Sequence, residues 1–155
     1  MERDYVELYR TTGAALWRAV YVYSGGRREI ADDAVAEAFA RALQYRGRIR
    51  RPESWLYRTA FRVAAAELRR TAQLETLDGS ASVSQVDSDL ADLFSALREV
   101  SPNQRAAVYL HYLADLPTRD VARYMGTSVA AVKVHLHRGR KRLRELLGDE
   151  VVGHG

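Results

Sequence analysis

The segment from residue 128 to residue 144 holds the side chains whose types and spacing best suit binding to nucleic acid. Between 133 and 144 it carries six basic and no acidic residues. On a helix that turns about 100° per residue, small and cationic side chains share one side. These residues are Ala130, Lys133, Val134, His137, Arg138 and Lys141. Small side chains let a backbone approach base edges, and Lys and Arg reach phosphates and guanine acceptors, so the spacing predicts a helix that reads the major groove.

Enzymatic chemistry has little support in the same sequence. The chain has no cysteine, which excludes a thiol nucleophile, a disulfide and a cysteine-zinc site. His135 and His137 are two residues apart and point to different sides of a helix, so they make a poor metal pair. No Gly-rich phosphate loop and no Ser/His/Asp order stands out. The sequence therefore predicts a protein that is not an enzyme and has no metal and no cofactor.

Composition predicts a soluble cytoplasmic protein. The chain has 155 residues, of which 47% are apolar, and a formal net charge of +4. No apolar run approaches the ~20 residues that span a bilayer, which predicts no membrane insertion. The N-terminus is too polar for a signal peptide. Twenty-two of the basic residues are Arg and two are Lys, which favours planar contacts to phosphates and base edges.

Charge is strongly segregated along the chain. Residues 41–71 hold nine basic and two acidic residues, whereas residues 72–99 hold one basic and six acidic residues. The second basic block is the run from 133 to 144. Two basic blocks on two different predicted helices indicate a polyanionic partner.

Residues that typically begin or end helices predict the elements that position the basic run. Pro117 opens a short helix with Val121, Ala122 and Met125 inward, and Gly126 allows a tight turn. Ser128 caps a helix from about Val129 to Leu147. The inward stripe of this helix consists of Val129, Val132, Leu136, Gly139 and Leu143. At Gly139 a close helix approach is expected. The pattern predicts a helix-turn-helix.

Helical spacing also covers the rest of the chain. We predict helices over about 4–23, 28–45, 52–71, 90–100 and 102–113, the last with Ser101 as N-cap and Pro102 at its first position. Residues 72–87 are small, polar and acidic, which is typical of a flexible linker. The sequence thus predicts an all-α fold of two small helical domains, 1–71 and 88–147, followed by a frayed tail over 148–155.

The apolar spacing of the first three helices predicts which side chains face inward. Val6, Leu8, Tyr9, Leu16, Val20 and Tyr23 are expected inward on the first helix, and Ile30, Ala34, Ala38 and Leu43 on the second. The third is expected to bury Leu56, Ala60, Val63 and Leu68. Its other side would expose Tyr57, Arg58, Phe61, Arg62, Arg69 and Arg70.

Three segments, in this order, resemble the extracytoplasmic-function type of bacterial RNA polymerase sigma factor. Residues 31–42 (ADDAVAEAFARA) are similar to the region 2.1–2.2 helix of that family, and residues 55–62 (WLYRTAFR) to the start of its promoter-melting helix. Residues 128–140 (SVAAVKVHLHRGR) are similar to its −35 recognition helix. The resemblance implies a three-helix sigma region 2 domain and a sigma region 4 helix-turn-helix domain.

The resemblance also implies partners and contact residues. Core RNA polymerase would be bound through its β′ clamp and β flap, and the clamp contacts would be Asp33, Glu37, Phe39 and Arg41. The −10 element of promoter DNA would be bound by Arg46, Arg48, Arg50, Arg51, Trp55, Tyr57, Arg58, Phe61 and Arg62, since aromatic residues among arginines suit stacking on unpaired bases. The −35 element would be bound by Ser128, Ala130, Ala131, Lys133, Val134, His137, Arg138 and Lys141. The resemblance implies an anti-sigma factor as a further partner.

Two alternatives stay open at this point. Phe39 and Trp55 are each also suited to a core position, Trp55 as well as to a DNA contact. A stand-alone helix-turn-helix regulator would use residues 88–147 for DNA and the N-terminal half for sensing or dimerisation. The basic aromatic helix over 52–71 favours the sigma factor, because a sensor domain has no need of it.

Overall fold

The computed structural model describes residues 5–78 and 91–148. Within these ranges every regular element is helical and no strand occurs, which confirms the predicted all-α fold. The chain divides into two compact units, Met1–Val83 and Ser84–Gly155.

The first unit is a bundle of three helices. Helix α1 spans Tyr5–Tyr23, α2 spans Arg28–Tyr45 and α3 spans Pro52–Asp78, with a 3₁₀ turn at Arg46–Arg48 after α2. Helix α2 has the predicted bounds.

The turn between α1 and α2 depends on three small residues. Gly25 and Gly26 have φ of 76° and 87°, the left-handed region that favours glycine. The buried Ser24 hydroxyl donates to the Tyr21 carbonyl at 3.0 Å and accepts from the Arg27 amide at 3.2 Å. These bonds reverse the chain so that α2 runs back along α1.

Fully buried alanines are frequent on α2 and α3, two helices that pack against each other. The fully buried alanines are Ala31, Ala34, Ala38 and Ala42 on α2 and Ala60 and Ala64 on α3. Side chains this small allow the two helix axes to approach closely. The large side chains of the core, Leu16, Val20 and Leu56, are also fully buried.

Three residues that were expected inward face solvent instead. Val6, Tyr9 and Leu43 are 63%, 58% and 49% exposed. The buried stripe of α1 includes Tyr5, Leu16 and Val20, and Val6 lies about 100° from Tyr5 on the helix. Tyr9 has the angular position of the stripe and is exposed all the same, so spacing alone does not decide burial in the first turns of α1.

The predicted boundary of the third helix is also wrong. Helix α3 continues seven residues past Thr71 to Asp78, so the first part of the expected linker is helical. Residues 72–78 contain no glycine or proline, and the first helix breaker after them is Gly79. The rest of the predicted linker, 79–87, lies outside the described residues.

In the second unit, residues 91–148 form four α-helices. They are α4 (Ala91–Arg98), α5 (Pro102–Val108), α6 (Thr118–Met125) and α7 (Val129–Leu147). The helix expected over 102–113 ends in a π turn at Tyr109–Leu113. The predicted tail beyond Gly148 lies outside the described residues.

The core of the second unit forms where α4, α5 and α6 pack against α7. Its buried side chains include Leu97, Val100, Ala106, Leu110, Val121, Val132, Leu136 and Leu143. Gly139 lies where α7 meets α5, and a Cβ at this position would come within 2.8 Å of Val108 Cγ2. The predicted close approach at Gly139 is therefore confirmed.

Helix α5 begins at Pro102 with Ser101 as its N-cap residue, as expected, although the Ser101 side chain makes no capping hydrogen bond. One local expectation in this unit is wrong. Val129 is 38% exposed rather than inward, because the first turn of α7 extends beyond the core.

Among the residues that the structure describes, no helix combines the length and the apolar character needed to cross a membrane.

Candidate nucleic-acid interface

The turn that aims α7 is set by one glycine. Gly126 ends α6 with φ of 70°, a left-handed conformation that costs glycine little. The Thr127 amide donates to the Ala122 carbonyl at 2.9 Å, and the Gly126 amide donates to the Arg123 carbonyl at 3.3 Å. These bonds satisfy the last carbonyls of α6 and turn the chain directly into α7.

The start of α7 is capped as predicted. The Ser128 hydroxyl accepts a hydrogen bond from the Ala131 amide at 3.1 Å. Val121 of α6 and Val132 of α7 are both fully buried. The cap and the packing of α6 against α7 fix the first turns of α7, the part of a recognition helix that approaches base edges.

We call the exposed side of α7 the reading face. It consists of Ala130, Lys133, Val134, His137, Arg138 and Lys141, all of which the structure places in solvent. Val134 is 44% exposed and offers an apolar surface for a thymine methyl group. The other two predicted residues are less available: Ala131 is half-buried and the Ser128 hydroxyl is engaged in the cap.

Within residues 91–148 no salt bridge compensates the positive charge of the reading face. The one acidic residue of α7, Glu145, pairs with Arg142 at 3.3 Å. In the described part of the chain, Lys133, Arg138 and Lys141 form no salt bridge. Uncompensated cations on an exposed helix attract a polyanion.

His135 lies between the reading face and the core. Its Nδ1 atom is buried and has no hydrogen-bond partner. Burial, and then the charge of Arg138, lower the pKa of His135 below its ordinary value of 6.5. The folded unit therefore holds this ring in its neutral form.

Acidification is expected to destabilise the second unit through His135. The lowered pKa means that the unfolded chain binds the proton more readily, so stability is complete above pH 6.5 and declines below it until the folded ring also titrates. A His135→Gln variant should lose less stability between pH 7.5 and 5, measured by urea unfolding followed by circular dichroism. An unchanged pH dependence in the variant would place the acid sensitivity in another group.

The predicted −10 surface is only partly accessible. Arg48, Arg50 and Arg51, in the loop before α3, are exposed, as is Arg62 on α3. Trp55 and Arg58 are half-buried. On α3, Trp55, Arg58 and Arg62 fall within about 60° of one another, so they share one side of the helix. The side chain of Arg46, at the start of the 3₁₀ turn, is not described.

The structure contradicts the prediction that Tyr57 and Phe61 stack on bases. They are only 5% and 6% exposed. The ring of Phe61 packs against that of Tyr23 with centroids 5.1 Å apart. Helix α3 contacts both α1 and α2, so its buried arc is wider than one stripe and includes these two rings. Trp55 is the one aromatic residue of the predicted set with an accessible ring.

A groove between α2 and α3 carries three of the four predicted polymerase contacts. Asp33, Glu37 and Arg41 are spaced four residues apart on α2, and Glu37 accepts a hydrogen bond from Arg41 Nε at 2.8 Å. The groove measures about 380 Å³, and its α3 wall is formed by Arg62, Val63, Ala66 and Glu67. Its charged rim and apolar floor suit a protein partner more than a small ligand.

Phe39 does not belong to this groove, so its predicted role as a polymerase contact is wrong. It is 9% exposed, and its ring packs edge-on against Tyr9 of α1 with centroids 5.1 Å apart. Phe39 lies on the flank of α2 that faces α1, whereas Asp33 and Glu37 lie on the flank that faces α3.

The sequence did not indicate that Val63, Ala66 and Glu67 line a site with α2. Glu67 pairs with Arg70 at 2.6 Å. The hydrogen bond to Glu67 and its charge raise the pKa of Arg70 above its ordinary value, and the charge of Asp33 adds to this. The only sequence signal was a Glu and an Arg three residues apart, which is common on solvated helix faces.

Comparison with protein families gives two matches, one in each unit. The model described as Sigma-70 region 2 matches residues 8–73. The model described as Sigma-70, region 4 matches residues 90–143.

Similar proteins carry sigma factor names. The ECF RNA polymerase sigma factor BldN of Streptomyces coelicolor is 30% identical over 92% of this chain and 60% of the relative. The RNA polymerase sigma factor CarQ of Myxococcus xanthus is 30% identical over 77% of this chain and 76% of the relative. The ECF RNA polymerase sigma factor SigM of Mycobacterium tuberculosis is 34% identical over 77% of this chain and 65% of the relative. The chain thus spans 60–76% of the length of these relatives.

A solved structure has a similar fold. It is the sigma factor RpoE of Bartonella quintana, in complex with the anti-sigma factor NepR. The TM-score is 0.77 over 93% of this chain and 96% of that chain, at 23% sequence identity.

Proposed function

The chain belongs to the RNA polymerase sigma factors of the extracytoplasmic-function type, and from this premise we propose that it binds core RNA polymerase and directs it to promoter DNA. In this proposal the chain contributes recognition and no catalytic step, and it acts in the cytoplasm. The observation that carries the proposal is the reading face of α7, which is exposed, contains no acidic residue and follows a capped helix-turn-helix.

The reading face would bind the −35 element. Lys133, Arg138 and Lys141 would reach phosphates and guanine acceptors, and Ala130 and Val134 would face base edges. The first unit would bind the −10 element through the arginines of loop 46–51 together with Trp55, Arg58 and Arg62. Trp55 would provide the stacking surface, since Tyr57 and Phe61 belong to the core.

The groove between α2 and α3 would bind the β′ clamp of the polymerase. Asp33, Glu37 and Arg41 line its α2 side. The second unit would bind the β flap. Two DNA-binding units on one chain gain affinity when a partner holds both at a fixed spacing, so the polymerase would convert two weak contacts into specific binding. An anti-sigma factor, the kind of partner bound to the Bartonella sigma factor, would compete for these surfaces.

Run-off transcription tests the proposed function. Purified chain and core RNA polymerase of its host are incubated with fragmented host DNA, and the 5′ ends of the transcripts are mapped. We expect defined start sites that core polymerase alone does not use. A stand-alone regulator would bind DNA without core polymerase and would create no new start sites. A transcript pattern identical to that of core polymerase alone would overturn the proposal.

Charge reversal in the α2–α3 groove is expected to weaken polymerase binding. Asp33→Arg places a cation where a carboxylate would meet the clamp, so we expect affinity for core polymerase to fall about tenfold or more. Co-purification and fluorescence anisotropy measure the effect. Glu7→Arg is the matched control, since Glu7 is an exposed acidic residue on α1, outside the groove. Equal capture of Asp33→Arg and wild type would remove the groove from the docking site.

A further inference from the structure

One side-chain hydrogen bond links the π turn to the recognition helix. Arg140 Nη1 donates to the Tyr112 hydroxyl at 2.6 Å, between residues 28 positions apart. Tyr112 is 39% exposed and Arg140 is half-buried. Neither residue is among the DNA-binding or polymerase-binding residues predicted from the sequence.

The backbone near both residues is held by the contact at Gly139. A Cβ on Gly139 would lie 2.8 Å from Val108 Cγ2, so α7 and α5 approach closely at this point. Arg140 follows Gly139 directly, and Val108 directly precedes the π turn. The two hydrogen-bonding side chains therefore extend from segments whose separation is fixed by packing.

The π turn also restrains Tyr112 itself. The Ala114 amide donates to the Tyr109 carbonyl at 3.0 Å, which closes the wide turn. His111 Nδ1 lies 2.8 Å from the Leu116 carbonyl and must donate to it, because a carbonyl only accepts. The His111 ring meets the Tyr112 ring edge-on with centroids 4.8 Å apart. These contacts within the π turn and the residues that follow it restrain the position of the Tyr112 ring.

The phenol orients the guanidinium without neutralising it. A tyrosine hydroxyl is uncharged at neutral pH, and within residues 5–78 and 91–148 Arg140 forms no salt bridge. Arg142, two residues later, is instead paired with Glu145 at 3.3 Å. An oriented guanidinium that keeps its charge and most of its donors is well suited to a phosphate.

The position of Arg140 on α7 is the rim of the reading face. At about 100° per residue it lies about 20° from Lys133 and about 60° from His137. Residues at the rim of a helix that lies in the major groove face the sugar-phosphate backbone and not the base edges.

We propose that Arg140 binds a backbone phosphate beside the −35 element and that Tyr112 is the positioning residue that aims its guanidinium. This inference rests on the proposed function, because it requires α7 to lie in the major groove. A phosphate contact is independent of sequence, so it can be measured without knowing the promoter.

The test uses full-length chain and a fluorescein-labelled duplex of mixed sequence, with anisotropy measured over a series of KCl concentrations. Arg140→Ala should weaken binding about fivefold and reduce the slope of log K against log salt by about 0.9, the value for one phosphate. Tyr112→Phe keeps the ring but loses the hydroxyl, so it should weaken binding about two- to threefold. In the Arg140→Ala background it should have no further effect.

Tyr112→Glu separates positioning from a structural role. A carboxylate still accepts the hydrogen bond of Arg140 but neutralises its charge. We therefore expect DNA affinity and salt slope to fall as far as in Arg140→Ala while the unfolding temperature is kept. Wild-type affinity and slope in Tyr112→Glu would overturn the proposal.

Two further variants make the outcomes distinguishable. Arg10→Ala is the matched control, because this exposed arginine of α1 lies outside α7 and is paired with Glu7 at 3.8 Å; its affinity should stay within about twofold of wild type. Lys133→Ala tests the proposed function. If Lys133→Ala has no effect, α7 does not read DNA and the inference fails with the proposed function. If Lys133→Ala weakens binding but the Arg140 and Tyr112 variants do not, only the inference is overturned.

Discussion

Transcription from the start sites of this protein is expected to fall at least about 100-fold in the double variant Lys133→Glu/Arg138→Glu. Both side chains are exposed on the reading face, and neither forms a salt bridge within the described ranges. The variant replaces two attractions to DNA by two repulsions, and single contacts of this kind are each worth about 1–3 kcal/mol. Single alanine variants should each lose about tenfold. Run-off transcription with core polymerase measures these losses.

The stability of the second unit separates loss of contact from loss of fold. Both tryptophans of the chain, Trp17 and Trp55, lie in the first unit. Tryptophan fluorescence therefore follows the first unit, whereas circular dichroism follows both. We expect both melting curves of the double variant to match wild type. Arg18→Glu, a charge reversal at an exposed arginine of α1, should retain most activity. Equal loss in this control, or parallel loss of stability and activity, would contradict the assignment of the reading face.

Helix bounds were predictable wherever the sequence carries helix breakers or capping residues. The bounds of α2 and α7 are as predicted, because each helix lies between breakers or caps that act locally. Gly126 and Ser128 are the clearest cases: a left-handed residue and a hydroxyl cap set the start of α7 whatever the rest of the chain does. The reading face follows from those bounds, since helical geometry then decides which residues share a side.

Buried faces were less predictable, because they depend on how many neighbours a helix has. Spacing identified the stripe of Leu56 and Ala60 on α3, which faces one partner. It did not reveal that α3 also packs against α1, which buries Tyr57 and Phe61 as well. The arginines beside them made that side of the helix look polar. The same limit applies to Phe39, whose partner Tyr9 lies 30 positions earlier in the chain.

The end of α3 shows a different limit of sequence reading. Polar composition suggested a linker from residue 72, but polarity does not break a helix. Ala72, Leu74 and the residues between them propagate a helix well, and the chain reaches Asp78 before the first glycine. The π turn at Tyr109–Leu113 had no local signal at all, since its residues are ordinary helix formers.

Arg105 is a buried cation of the second unit. The helical spacing of the sequence did not predict any role for it. It is 6% exposed, and its Nη1 donates to the Val100 carbonyl at 2.8 Å and to the Arg98 carbonyl at 3.3 Å. These carbonyls lie at the C-terminal end of α4, where helical partners are missing. One side chain thus joins α5 to the end of α4, and its charge is favourable there because the helix dipole is negative at that end.

Replacing Arg105 by methionine is expected to destabilise the second unit by about 3 kcal/mol. Methionine fills much of the same volume, but the Arg98 and Val100 carbonyls lose their donor, and each unsatisfied buried group costs about 1–3 kcal/mol. For a unit of this size, the melting temperature should fall by about 12–24 °C. Circular dichroism should show the loss while tryptophan fluorescence from the first unit stays unchanged. Arg119→Met, at an exposed arginine of α6, is the matched control and should melt like wild type. A melting temperature within about 3 °C of wild type in Arg105→Met would mean that water replaces the guanidinium as donor and that the end of α4 holds without it.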